Sequence, residues 1–193
     1  MKNKKIYIDY DSCMVDSVKA ICDLYNEDFR FYKDFIKINP KDVYTWDFYE
    51  LKCSNPAYLN TYFTQPRFFE KVDFFPNCEK TLAYLKNMGY DISIVSLGYY
   101  PNLILKKEWC KNKIPYANFI GIDFDLCSDK SIIDMTDGEM FIDDNSKYLK
   151  SSNCKRSVMF GDKKQWNEDW IGEKLKSWEN LHIQENKLIC NNT

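Results

Sequence analysis

Short apolar runs alternate with amphipathic stretches over most of the chain, and several of the runs end in acidic residues. Lys5–Asp9 (KIYID) predicts a buried strand. The stretch from Ser12 to about Glu27 predicts a helix, because Val15, Val18, Ile21 and Leu24 or Tyr25 fall on one face. From Pro76 the punctuation is regular. Asn77 is placed to cap a helix running to Met88, with Gly89 where a chain-reversing residue belongs. Asp91–Ser96 (DISIVS) predicts a second strand, breaking off at Leu97-Gly98, and Pro101 suits the first turn of a helix reaching about Lys111. Phe119–Ile122, Glu139–Asp144 (EMFIDD) and Ser157–Phe160 (SVMF) predict three more strands. Strands alternating with helices imply an α/β fold with a doubly wound, mainly parallel sheet.

Between about Glu27 and Phe75 the texture changes. The segment is rich in Phe, Tyr, Trp, Asn and Lys, carries several prolines and lacks period-2 alternation. It predicts a small helical cap inserted after the first strand. The expected division is a core of residues 1–16 and 76–193 and a cap of residues 17–75.

Composition narrows the classes. With 193 residues, 45% hydrophobic and 17% aromatic, the chain can bury a sizeable core, which excludes disorder. A formal charge of −2 argues against a nucleic-acid polymer as partner. The eight cysteines are scattered without a C-x-x-C pair, and no apolar leader precedes the first strand. Free thiols and a cytoplasmic protein are expected, with no membrane partner, since no run approaches the ~20 apolar residues of a span. A homodimer is left open. The only histidine, His182, is far in sequence from the acids and is expected at the surface, which excludes histidine-based catalysis.

The candidate chemistry lies in acids at strand ends. Ligands of open parallel sheets bind beyond the carboxyl ends of the strands. Two of the expected strands end in acid pairs, Asp9-Tyr10-Asp11 and Asp143-Asp144, and a third ends at Ser96. Alone, each pair could be a helix cap or a solvated turn. Brought together, they would repel unless a cation neutralised them, and a few oxygen-only ligands suit Mg²⁺. An EF-hand starting at Asp9 is excluded, because Met14 falls where glycine is needed and Ala20 where a bidentate Glu belongs.

Ile6-Tyr7-Ile8-Asp9-Tyr10-Asp11 resembles the hhhDxD opening motif of haloacid-dehalogenase-like phosphatases. Ile94-Val95-Ser96, Lys130 and Met140-Phe141-Ile142-Asp143-Asp144 resemble the second, third and fourth motifs, in the same order. Asp16, Trp46-Asp47-Phe48, Phe68-Phe69, Phe75-Pro76, Lys106-x-x-Trp109 and Trp178-Glu179 are similar to features of the 5′(3′)-deoxyribonucleotidases. Ser12 departs from the pattern, standing where the family has glycine, and Asp134–Met140 adds residues expected to bulge outwards near Gly138.

The resemblance implies a Mg²⁺-dependent phosphomonoesterase acting on a nucleoside monophosphate through an aspartyl-phosphate. It implies Asp9 as nucleophile and Asp11 as general acid and base, Asp11 also offering its backbone carbonyl to the metal. Ser96 and Lys130 would bind the phosphate, and Asp143 and Asp144 would complete the metal site, Asp144 as the direct ligand. Trp46 and Phe69 are the aromatics expected at the substrate. Two alternatives stay open: the same chemistry on another small phosphate ester, and a non-catalytic phosphate-binding module.

Overall fold

The computed structural model describes residues 4–185 and 187–191. Six strands form one parallel sheet: β1 (Lys4–Asp9), β2 (Tyr90–Gly98), β3 (Asn118–Asp123), β4 (Met140–Asp143), β5 (Ser157–Phe160) and β6 (Glu173–Leu175). Their spatial order is β3-β2-β1-β4-β5-β6. The order reverses between β1 and β4, which run in parallel with Ile8 opposite Ile142. That reversal opens a crevice at the carboxyl ends of these two strands.

Period-2 alternation splits the sheet's side chains between two cores. Ile6, Ile8, Ile92, Ile94, Met140 and Ile142 enter the larger one. Tyr7, Val95, Leu97, Phe141 and Met159 enter the smaller one on the opposite face. A strand buried on both faces reads as a continuous apolar run, as KIYID and MFID do.

The helix after β1 begins at Ser17, not Ser12. Asp16 is its N-cap, accepting a hydrogen bond from the Lys19 backbone N–H at 2.9 Å, so α1 spans Ser17–Asp28. Residues 12–15 are held instead in a turn, with the N–H groups of Met14 and Val15 bonding the Tyr10 carbonyl. Ser12 sits at φ 54° in the left-handed region, which explains why glycine suits that position.

Insertion and core share one apolar cluster, which takes in Val43, Phe48, Leu51, Leu59, Tyr62 and Phe68. Two short helices form there, α2 (Pro56–Asn60) and α3 (Pro66–Lys71), each with proline in its first turn. Asn26 of α1 pairs through its amide with both backbone groups of Ile38, at 2.9 and 3.0 Å. Asp28 accepts from both terminal guanidinium nitrogens of Arg67 (2.7 and 2.5 Å) and from Tyr62 Oη at 2.8 Å.

Helix α4 spans Cys78–Asn87, and Gly89 follows it at φ 83° as expected of a chain-reversing residue. Asn77 makes no side-chain cap; its amide instead reaches Glu179 at 3.3 Å. Helix α5 covers Tyr100–Lys113 and α6 Ser146–Ser151. Strand β2 runs through Leu97 and Gly98 because both continue the pairing with β3.

The residues before β4 do not bulge outwards at Gly138. Met135 is buried in the smaller core, and Gly138 lies against Tyr7, whose ring a Cβ would approach to 2.8 Å. An antiparallel hairpin, β7 (Leu181–Gln184) and β8 (Lys187–Cys190), closes the described chain. All eight cysteines are free thiols, and no helix of the described residues is long and apolar enough to cross a membrane.

Arg67 and Tyr62 together hold the Asp28 carboxyl below its ordinary value of 3.8, the Arg67 hydrogen bonds contributing most. A depressed carboxyl contributes stability that is present above its unfolded value and lost as pH falls through the folded one. Asp28→Asn is therefore expected to destabilise by about 1–2 kcal/mol near neutral pH, lowering Tm by roughly 3–6 °C. Thermal melts of variant and wild type should converge in strong acid.

Candidate active site

The split between the two faces explains how separate parts of the chain meet at the crevice. Asp9 has the parity of Tyr7, and Asp143 that of Phe141, so both acids face the smaller core. The loop between β3 and β4 covers that face and carries Lys130. Its ammonium donates to Asp9 Oδ1, to Asp143 Oδ2 at 2.6 Å and to the Val95 carbonyl at 3.0 Å. Lys130 is fully buried. Ser96 has the opposite parity and is met from the other face by Lys106 of α5. Trp109, one turn further along α5, packs edge-on against Tyr10 at 5.6 Å and so fixes that helix face. Lys106 then bridges Asp11 Oδ2 and Ser96 Oγ, the latter at 2.9 Å. The second oxygen of Asp11 accepts from Ser17 Oγ at 2.7 Å. Two lysines thus approach the acids from opposite sides of the sheet.

Asp143 spends both oxygens inside the protein, one on Lys130 and one on the Asn145 backbone N–H at 2.8 Å. Asp144 accepts from Trp166 Nε1 at 2.7 Å through Oδ2 alone. Asp9, Asp143 and Asp144 each offer an oxygen within 4.8 Å of the others, and all three are buried. The donor set is all oxygen and suits a hard divalent cation.

Charge supports the same fit. Four carboxylates, of Asp9, Asp11, Asp143 and Asp144, face the two ammonium groups of Lys106 and Lys130, an excess of two negative charges when all are ionised. Burial pushes the Asp9 carboxyl up to about 7; Lys130 opposes the shift, while Asp143 and Asp11 add to it. Burial and then repulsion from Asp143 and Asp9 hold Asp144 well above the carboxylate range. Burial likewise raises Asp143, against the pull of Lys130.

A cavity of about 430 Å³ opens over the acids and is lined by Asp9, Asp11, Lys106 and Asp144 together with aromatic rings. Trp46 lines it. Phe69 does not; on the short helix α3 it packs edge-on against Phe68 at 5.1 Å and against the main core. Phe48, Phe63, Tyr99, Phe124 and Tyr148 supply the walls instead. Ser96 and Lys130 are wholly buried beneath the cavity and do not line it. Lys106 does, although its sequence signal marked only a helix. His182 is half-buried on β7, 3.4 Å from the Asn191 amide.

Asp9's folded value of about 7 exceeds its ordinary 3.8, so the folded state binds that proton more tightly and ion-free stability falls as pH rises through this window. Ion-free Asp9→Asn should melt several degrees above wild type near pH 8, by at least about 2 kcal/mol, and the gap should close only as pH falls below the ordinary value of 3.8. Calorimetry across this range checks it, and a lower Tm for the variant near pH 8 would refute the charge excess.

The fold is that of haloacid-dehalogenase-like hydrolases. A predicted phosphatase from Clostridium acetobutylicum is 13% identical, with a TM-score of 0.62 over 93% of this chain and 96% of that one. A haloacid-dehalogenase-like family hydrolase from Streptococcus pneumoniae is 12% identical, with a TM-score of 0.62 over 91% and 94%. CbbY from Rhodobacter sphaeroides, solved in complex with phosphate, is 13% identical, with a TM-score of 0.56 over 92% and 95%. Identities this low carry the fold alone. No curated protein sequence matches the chain significantly. Residues 3–188 match the family model for the 5′ nucleotidase, deoxy (pyrimidine), cytosolic type C protein. With nearly the whole chain matched and the acids gathered at the sheet's switch point, this chain belongs to that nucleotidase family of phosphomonoester hydrolases.

Proposed function

We propose that the chain is a Mg²⁺-dependent 5′(3′)-deoxyribonucleotidase in which Asp9 is the nucleophile. The observation that carries this reading is Lys130 bridging Asp9 and Asp143, with Asp144 alongside, so that acids 134 residues apart share one cluster. Asp9 gives Oδ1 to Lys130 and lines the cavity, which leaves Oδ2 to attack phosphorus. The attack forms an aspartyl-phosphate and releases the nucleoside oxygen; water then cleaves the acyl phosphate. Asp11 gives the proton to the leaving oxygen and takes one from the water.

Lys106, lying between Asp11 and Ser96 at the cavity floor, is the cation a phosphoryl oxygen meets, with Ser96 holding it from below. Lys130 keeps Asp9 oriented and offsets its charge. Asp9, the Asp11 backbone carbonyl and Asp144 would hold Mg²⁺, with Asp143 orienting the group from its fixed position. The ion supplies charge neutralisation at the phosphate when bound.

Residues 17–75 act in this reading as a cap over a core of 1–16 and 76–193, and the aromatic walls suit the flat face of a base. The free thiols fit a cytoplasmic setting.

Phosphate release is expected from deoxyribonucleoside monophosphates only with Mg²⁺ present. Activity confined to non-nucleotide esters would refute the substrate. Asp9→Asn should lower kcat by roughly 10³-fold or more. Lys106→Met should lower kcat/KM by about 10²-fold, and wild-type turnover by either variant would refute its assigned role.

A further inference from the structure

Trp166 lies on a loop that no motif of the sequence marks, and it touches both halves of the site. Its indole Nε1–H donates to Asp144 Oδ2 at 2.7 Å. Its backbone carbonyl accepts from the Ser146 N–H at 3.1 Å and from Ser146 Oγ at 3.2 Å, two residues beyond Asp144. The neighbouring Asn167, itself buried, donates its amide to the Asp144 carbonyl at 3.1 Å. These bonds hold the side chain and backbone of Asp144 from one short segment.

The same segment grips the insertion. The Gln165 N–H donates to the Tyr44 carbonyl at 3.1 Å, and Gln165 Oε1 accepts from the Trp46 N–H at 3.1 Å. The Lys164 ammonium donates to the Val43 carbonyl, and Tyr44 Oη donates to Glu168 at 2.7 Å. The indole of Trp166 meets that of Trp46 edge-on, 5.6 Å between ring centroids and 75° between planes. Both rings line the cavity over the acids.

We propose that Trp166 is a positioning residue with two separable parts. Its N–H fixes one oxygen of Asp144 so that the other is presented to the divalent ion, and its ring braces Trp46 at the cavity wall. The inference rests on the reading of Asp144 as a metal ligand. An indole N–H is a donor without an acceptor, so it can only orient a carboxylate and cannot compete for the ion. Bonds of this kind to a metal-binding carboxylate change metal affinity by about 10- to 100-fold when removed.

The two parts predict a split. Trp166→Phe keeps a ring and loses the N–H. It should weaken Mn²⁺ binding, followed by electron paramagnetic resonance, about tenfold, while its substrate KM at saturating metal changes by less than that. Trp46→Leu should do the reverse, keeping Mn²⁺ affinity and raising KM about fivefold to tenfold. Wild-type Mn²⁺ affinity in folded Trp166→Phe would overturn the proposal. Should that variant not fold, the indole N–H resonance of Trp166 in the wild type decides: it should shift and exchange more slowly on saturation with Mg²⁺, and an unmoved signal would overturn the proposal. A wild-type protein that binds no divalent ion would sink the reading of the site, and this inference with it.

Discussion

Four carboxylates and two lysine ammonium groups share a small, largely buried volume at the carboxyl ends of β1 and β4. Unshielded, such a set is a poor stability element, because each buried charge costs more to desolvate than an exposed one and the acids outnumber the cations. The set has a deficit of positive charge, and its all-oxygen donors suit a hard divalent cation. The rest of the fold serves to hold that deficit together. The sheet aligns Asp9 with Asp143, the covered face delivers Lys130, and α5 delivers Lys106 from the other side.

The two lysines are not equivalent. Lys130 is locked among three acceptors and fully buried, so its role is to keep Asp9 and Asp143 in register. Lys106 lines the cavity while bridging Asp11 and Ser96, so in the proposed reading an incoming phosphate would compete with Asp11 for it. Neither lysine can be understood from its own element; each depends on which face of the sheet its partner acid occupies.

Much of this was legible in the sequence. The acid pairs end short apolar runs, and the order of the runs implied a parallel doubly wound sheet, as found. The site residues that sit on strands were legible because strand parity and strand ends are local properties. Lys106 was visible only as part of a K-x-x-W helix pattern, since its partners lie 95 and 10 residues away and its charge gives no hint of burial. Phe69 and Phe63 could not be told apart by composition, because the turn between α2 and α3 decides which ring faces the cavity. Trp166 lay in a loop without periodicity. Strand β6 is three residues long at the sheet edge, too short for a pattern, and the closing hairpin was not predicted, although Leu181, Ile183, Leu188 and Cys190 alternate along it.

The insertion and the core share one apolar cluster, and the 164–168 loop ties the insertion's Val43–Trp46 segment to the acids. Cavity and acid cluster are therefore built as one unit, and the proposed divalent ion would sit at its centre. Anomalous diffraction from a crystal soaked with Mn²⁺ and a phosphate analogue tests this directly. A single strong peak bonded to both Asp9 and Asp144, with the analogue beside Lys106, is the predicted result. A peak that touches only one of the two acids, or none at this crevice, would contradict it.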